Sequence, residues 1–367
     1  MSILFEKTLL GGMELTNRFV RSATWEGMAT EKGMVTPQLI DTMIELAKGG
    51  IGLMISSHAY VSPEGQASFR QIGIYGDECI QGLKQMTAAV HEYGGKFVAQ
   101  LAHAGNFAAE KYTEQPPLAV SNFEGLAQTA RKEITGPDID RLVTAFADAA
   151  RRAKEAGFDG VQLHSAHGYL LSQFLSPYFN RRNDDYGGPI QQRARIHVRI
   201  CRAIRDAVGP DYPLLVKLNC RDFADGGLDP EESIQAAGLM FGAGLDAVEM
   251  SGGLLTGGKL SPSRPGINRI EKEAYFEADA RSFKERHDFP LILVGGIRSF
   301  EVAERLVEEG CADYISLSRP LIREPDLIQR WKNGDRRKST CLSDNLCFRP
   351  GIAGKGIYCL TEERERH

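Results

Sequence analysis

The chain is 367 residues long, 42% hydrophobic and 25% charged, with a formal net charge of -4 spread along its length. It has no basic block to suit nucleic acid or an anionic membrane surface, and no apolar run approaches the roughly 20 residues that a membrane span needs. MSILFEKTLL reaches Glu6 and Lys7 before any signal-like apolar core develops, so a cytoplasmic location is expected, and the length suits an α/β barrel folded as one unit.

LLGGMELTN reads as a small hairpin, with GG as the turn between apolar runs, placed to plug the bottom of whatever follows. Eight short apolar runs come next: FVRSAT (19–24), IGLMIS (51–56), KFVAQL (96–101), GVQLH (160–164), PLLVKLN (213–219), DAVEMSG (246–252), PLILVGG (290–296) and ADYISLS (312–318). Segments of helical period separate them. The clearest is DIDRLVTAFADAARRAKEAGFDG, where Ile139, Leu142, Val143, Phe146, Ala149, Ala150 and Ala153 share a face and Gly157 stands where a left-handed helix end is wanted. Eight almost continuously apolar strands, each followed by a helix, predict a closed parallel (β/α)8 TIM barrel. An open doubly wound sheet is the alternative, and no strand-turn-helix here carries its G-x-G-x-x-G.

In such a barrel the chemistry sits at the C-terminal ends of the strands. Reading those ends in order gives Thr24, Ser57 and His58, Gln100, His164, Lys217, Gly252, Gly295 and Gly296, and Ser318 with Arg319, while mid-strand positions read as apolar. Gly-Gly before one helix and Ser-Arg-Pro before another offer backbone N–H groups and a guanidinium to a phosphate. The bland alternative is a pair of tight turns with Arg319 in a surface ion pair.

His164, His167 and Tyr169 leave one strand end together. Neutral imidazoles are good donors to a carbonyl oxygen, and a phenol can protonate a carbon made basic by reduction. Two structural histidines, or a zinc site lacking a nearby carboxylate or cysteine ligand, are the competing readings. Lys217 suits either a Schiff base in a phosphosugar lyase or a cation facing an electron-rich ring; Gln100 favours the second, as a donor and acceptor edge for a flavin pyrimidine.

Of seven cysteines, Cys79, Cys201, Cys220 and Cys311 are scattered and read as buried reduced thiols, while Cys341, Cys347 and Cys359 gather near the C-terminus. Composition shifts after about residue 333, which suggests a barrel over residues 1–340 and a cysteine-containing tail over 341–367.

NRFVRSAT, QLAHAG, AGFDGVQLHSAHGYLLSQFLSPYFNRRNDDYGG and VGGIRSFEVAERLVEEGCADYISLSRPLIREPDL together resemble the old yellow enzyme family of FMN-dependent ene-reductases and NADH:flavin oxidoreductases, over nearly all of residues 1 to about 333. The resemblance implies that His164 and His167 hold a substrate carbonyl oxygen and that Tyr169 donates the proton. It places Ala23, Thr24, His58, Gln100 and Lys217 at the isoalloxazine, and Gly295, Gly296, Ser318 and Arg319 at the FMN phosphate. NAD(P)H is then the electron donor, an activated alkene the acceptor and a homo-oligomer the expected state.

Departures from the family pattern are Lys217 where many members have arginine, Thr24 where some have cysteine, His58 where small residues are frequent, and Asn106 in place of the arginine of HAGR. In the tail, CLSDNLCFRPGIAGKGIYC keeps three cysteines of the 4Fe-4S pattern of 2,4-dienoyl-CoA reductase-like members but has Asp344 at the second position. Carboxylate is the harder, weaker ligand for such a cluster, so a remnant is expected in place of a cluster or a zinc site.

Overall fold

A computed structural model describes residues 2–366. After the hairpin β1 (Thr8–Leu10) and β2 (Met13–Leu15) come β3 (Phe19–Arg21), β4 (Leu53–Tyr60), β5 (Lys96–Ala102), a two-residue pair β6 (Leu118–Ala119) and β7 (Lys132–Glu133), then β8 (Gly160–Ser165), β9 (Leu214–Asn219), β10 (Ala247–Ser251), β11 (Leu291–Leu293) and β12 (Tyr314–Leu317). β3, β4, β5, β8, β9, β10, β11 and β12 pair in parallel in that order, and β12 returns to β3 to close the barrel. All eight expected strands are present, and the closed sheet rather than the open one is the outcome. Three ends differ by three residues or more: β4 runs on to Tyr60 through its pairing with β5, whereas β3 stops at Arg21 and β11 at Leu293, because the pairings of both strands run out there and Gly295 and Gly296 turn the chain with φ of 143° and 73°.

The hairpin plugs the barrel as its sequence suggested. Gly11 and Gly12 supply the two positive φ angles of a tight turn. Leu10, Met13 and Leu15 then join Val20, Leu53, Ile55, Val98, Leu215, Ala247, Ile292 and Tyr314 in one apolar cluster inside the barrel floor. Each barrel strand contributes its outward residues to a second cluster beneath the helices, such as Phe97, Ala99 and Leu101 of β5. The helix Gly136–Glu155 buries all seven residues named above and starts two residues earlier than its DID motif, because Thr135 and Asp138 form a reciprocal capping box with Pro137 in the first turn.

Beyond β12 the chain folds back over the C-terminal mouth. Ser339 N–H donates to Arg298, Gly266 N–H to Ser343, and Ile357 N–H to Glu26. Short helices at Phe348–Ile352 and Leu360–Arg366 complete this segment. No helix of the described residues is long and apolar enough to cross a membrane.

At the barrel bottom, Asn17 joins the approaches to β3 and β4. Its Nδ2 donates to Gly50 O at 2.8 Å, and its Oδ1 accepts from the Phe19 and Gly52 amides at 3.0 and 3.1 Å. Asn17→Ala leaves two buried N–H groups unpaired, at about 1–3 kcal/mol each. Urea unfolding is expected to show a lower midpoint at unchanged slope, and a loss below about 1 kcal/mol would contradict this role.

Candidate active site

Alternation along each strand sorts the barrel interior into layers. Residues pointing inward at the bottom are apolar; one step up stand Ser22, Gln100, Gln162, Lys217, Glu249 and Ser316, all buried. Gln162 and Glu249 correct the expectation of apolar mid-strand positions. Both belong to the inner face, where two polar chains can satisfy each other, while their strand neighbours Val161, Leu163, Val248 and Met250 face the helices. Gln100 Nε2 donates to Gln162 Oε1 at 2.7 Å, and Gln162 Nε2 donates to Glu249 Oε2 at 2.9 Å. Glu249 Oε1 accepts from Ser22 at 2.7 Å, Ser316 at 2.8 Å and Lys217 Nζ at 3.2 Å. Burial would raise the Glu249 carboxyl, but Lys217 and these donors hold it below its ordinary range.

Above that layer the aromatic polar groups converge. β8 delivers His164, and the chain then turns through His167 at φ 65° and Gly168 at φ 85° before Tyr169 opens the helix Leu170–Leu175. Such a φ is uncommon for a residue with a side chain. It is held by His167 N–H donating to Asn219 Oδ1 at 3.1 Å and Leu255 N–H donating to His167 O. The rings of His164 and His167 lie 5.2 Å apart, those of His164 and Tyr169 4.7 Å, and those of His58 and Tyr169 5.4 Å.

Burial, with Lys217 nearby, keeps His58 down at about 4, and burial with the neighbouring imidazoles and Lys217 sets His164 well below the usual range. His167 is lowered by burial, Lys217 and His58, while burial pushes the Tyr169 phenol up to about 12. At neutral pH the site therefore offers uncharged imidazoles and a protonated phenol. His58 Nε2 and His164 Nδ1 are buried without a hydrogen-bond partner, whereas His167 Nε2 meets Ser251 Oγ at 2.8 Å.

Two lobes of one cavity share Ala23, His167, Lys217, Pro262, Ser263 and Ser318. The outer lobe, about 270 Å³, is bounded by Thr24, His58, Gln100, His164 and Tyr169, with Trp25, Leu255 and Phe348 as apolar walls. The inner lobe runs to Gly296, Arg298, Ser318 and Arg319. Thr24 and Ser318 hydroxyls share a hydrogen bond at 2.8 Å. Arg319 is buried, and its Nη1 donates to Arg264 O and to Asn345 Oδ1 rather than to a surface carboxylate.

Gly295 lies off the cavity, packed beneath Phe276 and Tyr275, and a Cβ on Gly296 would sit 2.7 Å from the Tyr275 ring. The amides of Arg298 and Ser299, which lie between Gly296 and the helix Phe300–Glu308, donate to Glu273 Oε2 at 2.7 and 2.9 Å. The Arg298 side chain, whose Nε is buried and unpartnered, lines the cavity wall. Sequence reading missed Arg298, Ser22, Ser316, Gln162, Glu249, Ser343 and Asn345. For Gln162 and Glu249 a signal existed, since a charged or amide side chain inside a wholly buried strand needs a partner.

The cavity fits FMN on these observations. It is elongated, with a cationic end at Arg298 and Arg319 for a phosphate, an amide and an ammonium at Gln100 and Lys217 for a pyrimidine edge, and unpartnered imidazole nitrogens above. No group of three or more histidine, cysteine or acidic side chains among the described residues is arranged to hold a metal. In the tail, Cys341 and Cys347 are buried, Asp344 accepts from Thr361 and from Leu346 N–H, and Cys359 Sγ meets Arg323 and Glu362 N–H.

Residues 3–338 match the NADH:flavin oxidoreductase / NADH oxidase family. The chain is 36% identical over 352 residues to an NADH oxidase of Thermoanaerobacter brockii, covering 94% of this chain and 53% of that protein, so it spans about half the length of that relative. It is 35% identical over 323 residues to an NADPH dehydrogenase of Bacillus subtilis, covering 88% and 92% of the two chains. The solved structure of an old yellow enzyme homologue from Zymomonas mobilis superimposes with a TM-score of 0.78 at 27% identity, covering 93% of this chain and 95% of the other. The chain belongs to this FMN-dependent family of old yellow enzyme relatives.

The buried neutral histidines carry a pH signature. An unfolded imidazole takes a proton as pH falls through about 6.5, whereas burial holds folded His58 and His103 at about 4 and His197 at about 3, with His164 also well below 6.5. The unfolded chain then binds more protons than the folded one, so stability is full above pH 6.5 and is lost on acidification, by up to about 1.4 kcal/mol per pH unit for each such group. Urea midpoints of the apoprotein should fall steeply from pH 6.5 to 4.5; a flat profile would show that these rings are protonated in the fold.

Proposed function

We propose that this family member binds FMN along the two-lobed cavity, takes reducing equivalents from NAD(P)H, and reduces the C=C bond of an α,β-unsaturated carbonyl compound. The observation that carries the reading is the meeting of His164, His167 and Tyr169 over a cavity whose far end holds Arg298 and Arg319. FMN, when bound, supplies a ring that accepts hydride from one substrate and returns it to the next.

The residues divide the remaining work. Arg319, Arg298 and Ser318 would hold the phosphate, and Lys217, Gln100 and Thr24 the ring. His164 Nδ1 is free to face a carbonyl oxygen. Ser251 donating to His167 Nε2 would leave the other ring nitrogen of His167 as the second donor. Two neutral donors aimed at one oxygen polarise the alkene and stabilise charge as it gathers there. Tyr169, still protonated at neutral pH, can then pass its proton to the α-carbon. Trp25, Leu255 and Phe348 would give the outer lobe apolar walls against the substrate.

A Schiff-base lyase fits less well, because its lysine attacks as a free amine and Lys217 Nζ meets Ser22 Oγ at 2.7 Å and the Glu249 carboxylate at 3.2 Å, a setting made for an ammonium.

Protein reconstituted with FMN should turn yellow, bleach with NAD(P)H under anaerobic conditions and regain colour with cyclohexenone. Tyr169→Phe should slow the alkene step by about 10²-fold or more while leaving bleaching by NAD(P)H unchanged. Equal effects on both steps would remove Tyr169 as proton donor. Absence of any flavin uptake, with borohydride trapping of a sugar phosphate on Lys217, would replace this reading with the lyase.

A further inference from the structure

Glu249 touches neither cavity lobe, yet both side chains proposed to read the flavin pyrimidine lead back to it. A carboxylate only accepts hydrogen bonds, so Gln162 must turn its NH₂ toward Glu249 Oε2 and its carbonyl oxygen away. That oxygen faces Gln100, which must in turn spend Nε2 on it. What this orientation turns toward the cavity is the carbonyl oxygen of Gln100, an acceptor for an imide N–H, beside the second hydrogen of its NH₂. The other carboxylate oxygen, shared with Ser22 and Ser316, holds Lys217.

We infer that Glu249 is a positioning residue for the cofactor: one buried charge fixes Lys217 as the cation beside the flavin N1–O2 edge and, through Gln162, fixes Gln100 as the acceptor for flavin N3–H. This rests on the FMN reading above. Two consequences separate Glu249 from a merely structural carboxylate. Its negative charge lies one lysine away from the edge where a reduced flavin carries its own, so it opposes reduction. Its acceptor-only character sets the polarity of an amide relay that ends at the ring.

Glu249→Gln removes the charge and lets residue 249 donate to Gln162, which reverses the relay. FMN binding to apoprotein is expected to weaken at least tenfold, and the two-electron midpoint potential of the bound flavin to rise by at least a tenfold change in the reduction equilibrium, about 30 mV. Gln162→Leu keeps the charge and cuts the relay, so affinity should fall at least tenfold with the potential unchanged. 3-Methyl-FMN, which lacks the N3–H, should bind wild type at least tenfold more weakly than FMN and bind Gln162→Leu no more weakly than FMN. An unchanged potential in Glu249→Gln overturns the inference. So does an unchanged affinity in Gln162→Leu, which is the deciding variant should Glu249→Gln fail to fold. Wild-type protein that takes up no FMN refutes the flavin reading instead.

Discussion

A carboxylate with no solvent exposure has to be met by donors, and in this barrel that demand organises the interior. Leaving Glu249 unpaired would cost several kcal/mol. Its partners come from four other strands or strand ends: Ser22 after β3, Gln162 from β8, Lys217 from β9 and Ser316 from β12. Ser22, Lys217 and Ser316 each sit one inward step above a residue of the floor, Val20, Leu215 and Tyr314, and Gln162 sits above Gly160, so the polar layer is stacked on the hairpin-plugged cluster instead of interrupting it. The barrel gains its packing energy below and places polar groups above, where their outward ends can serve a ligand.

Electrostatics follow from the same arrangement. Burial, reinforced by Lys217 and by the imidazoles' own proximity, disfavours any further positive charge among His58, His164 and His167, so the rings at the mouth stay neutral and act as donors without charge. Cationic character is concentrated instead at the opposite end, at Arg298 and Arg319, where an anion has two guanidiniums and no carboxylate among the cavity-lining residues. A ligand with a phosphate at one end and an uncharged heterocycle at the other matches that gradient. The residues after β12 belong to this site as well. Asn345 accepts from Arg319 and donates to Ser263 O, tying the arginine to the loop after β10, and Phe348 walls the outer lobe.

Fold and mouth were legible in the sequence for one reason. Strands buried on both faces read as short apolar runs, and the residues at their ends break that rule, so Gln100, His164, Lys217 and Ser318 stood out without any knowledge of contacts. Long-range partners left no such mark. Glu273 lies 25 residues before Arg298, and its acceptance of the amides of Arg298 and Ser299 shapes the turn after Gly296 without any local sequence signal. Asn345 reaches Arg319 from 26 residues away, out of a tail whose cysteine spacing drew the eye. Gln162 and Glu249 were hidden differently: each lies inside an apolar run whose alternation is masked because the outward face is apolar too.

His58 shows how far a single irregularity in pairing carries. On β4, Leu53 and Ile55 point into the barrel floor, so strict alternation would send Ser57 inward next and turn His58 toward the helices. The register of β4 against β5 shifts between Ile55 and His58, and pairing resumes with His58 opposite Gln100. This extra residue is taken up at Ser56 and Ser57, where Ser56 Oγ accepts the Gln100 amide at 3.0 Å and donates to Ser57 O at 2.8 Å. Small hydroxyl side chains are suited to such a bulge, since they can satisfy the backbone groups that it unpairs. The alternation slips by one, and a third imidazole arrives beside Tyr169 with an unpartnered nitrogen. Both Ser57 and His58 are strand-end residues in the sequence; the bulge decides which of them meets the cavity.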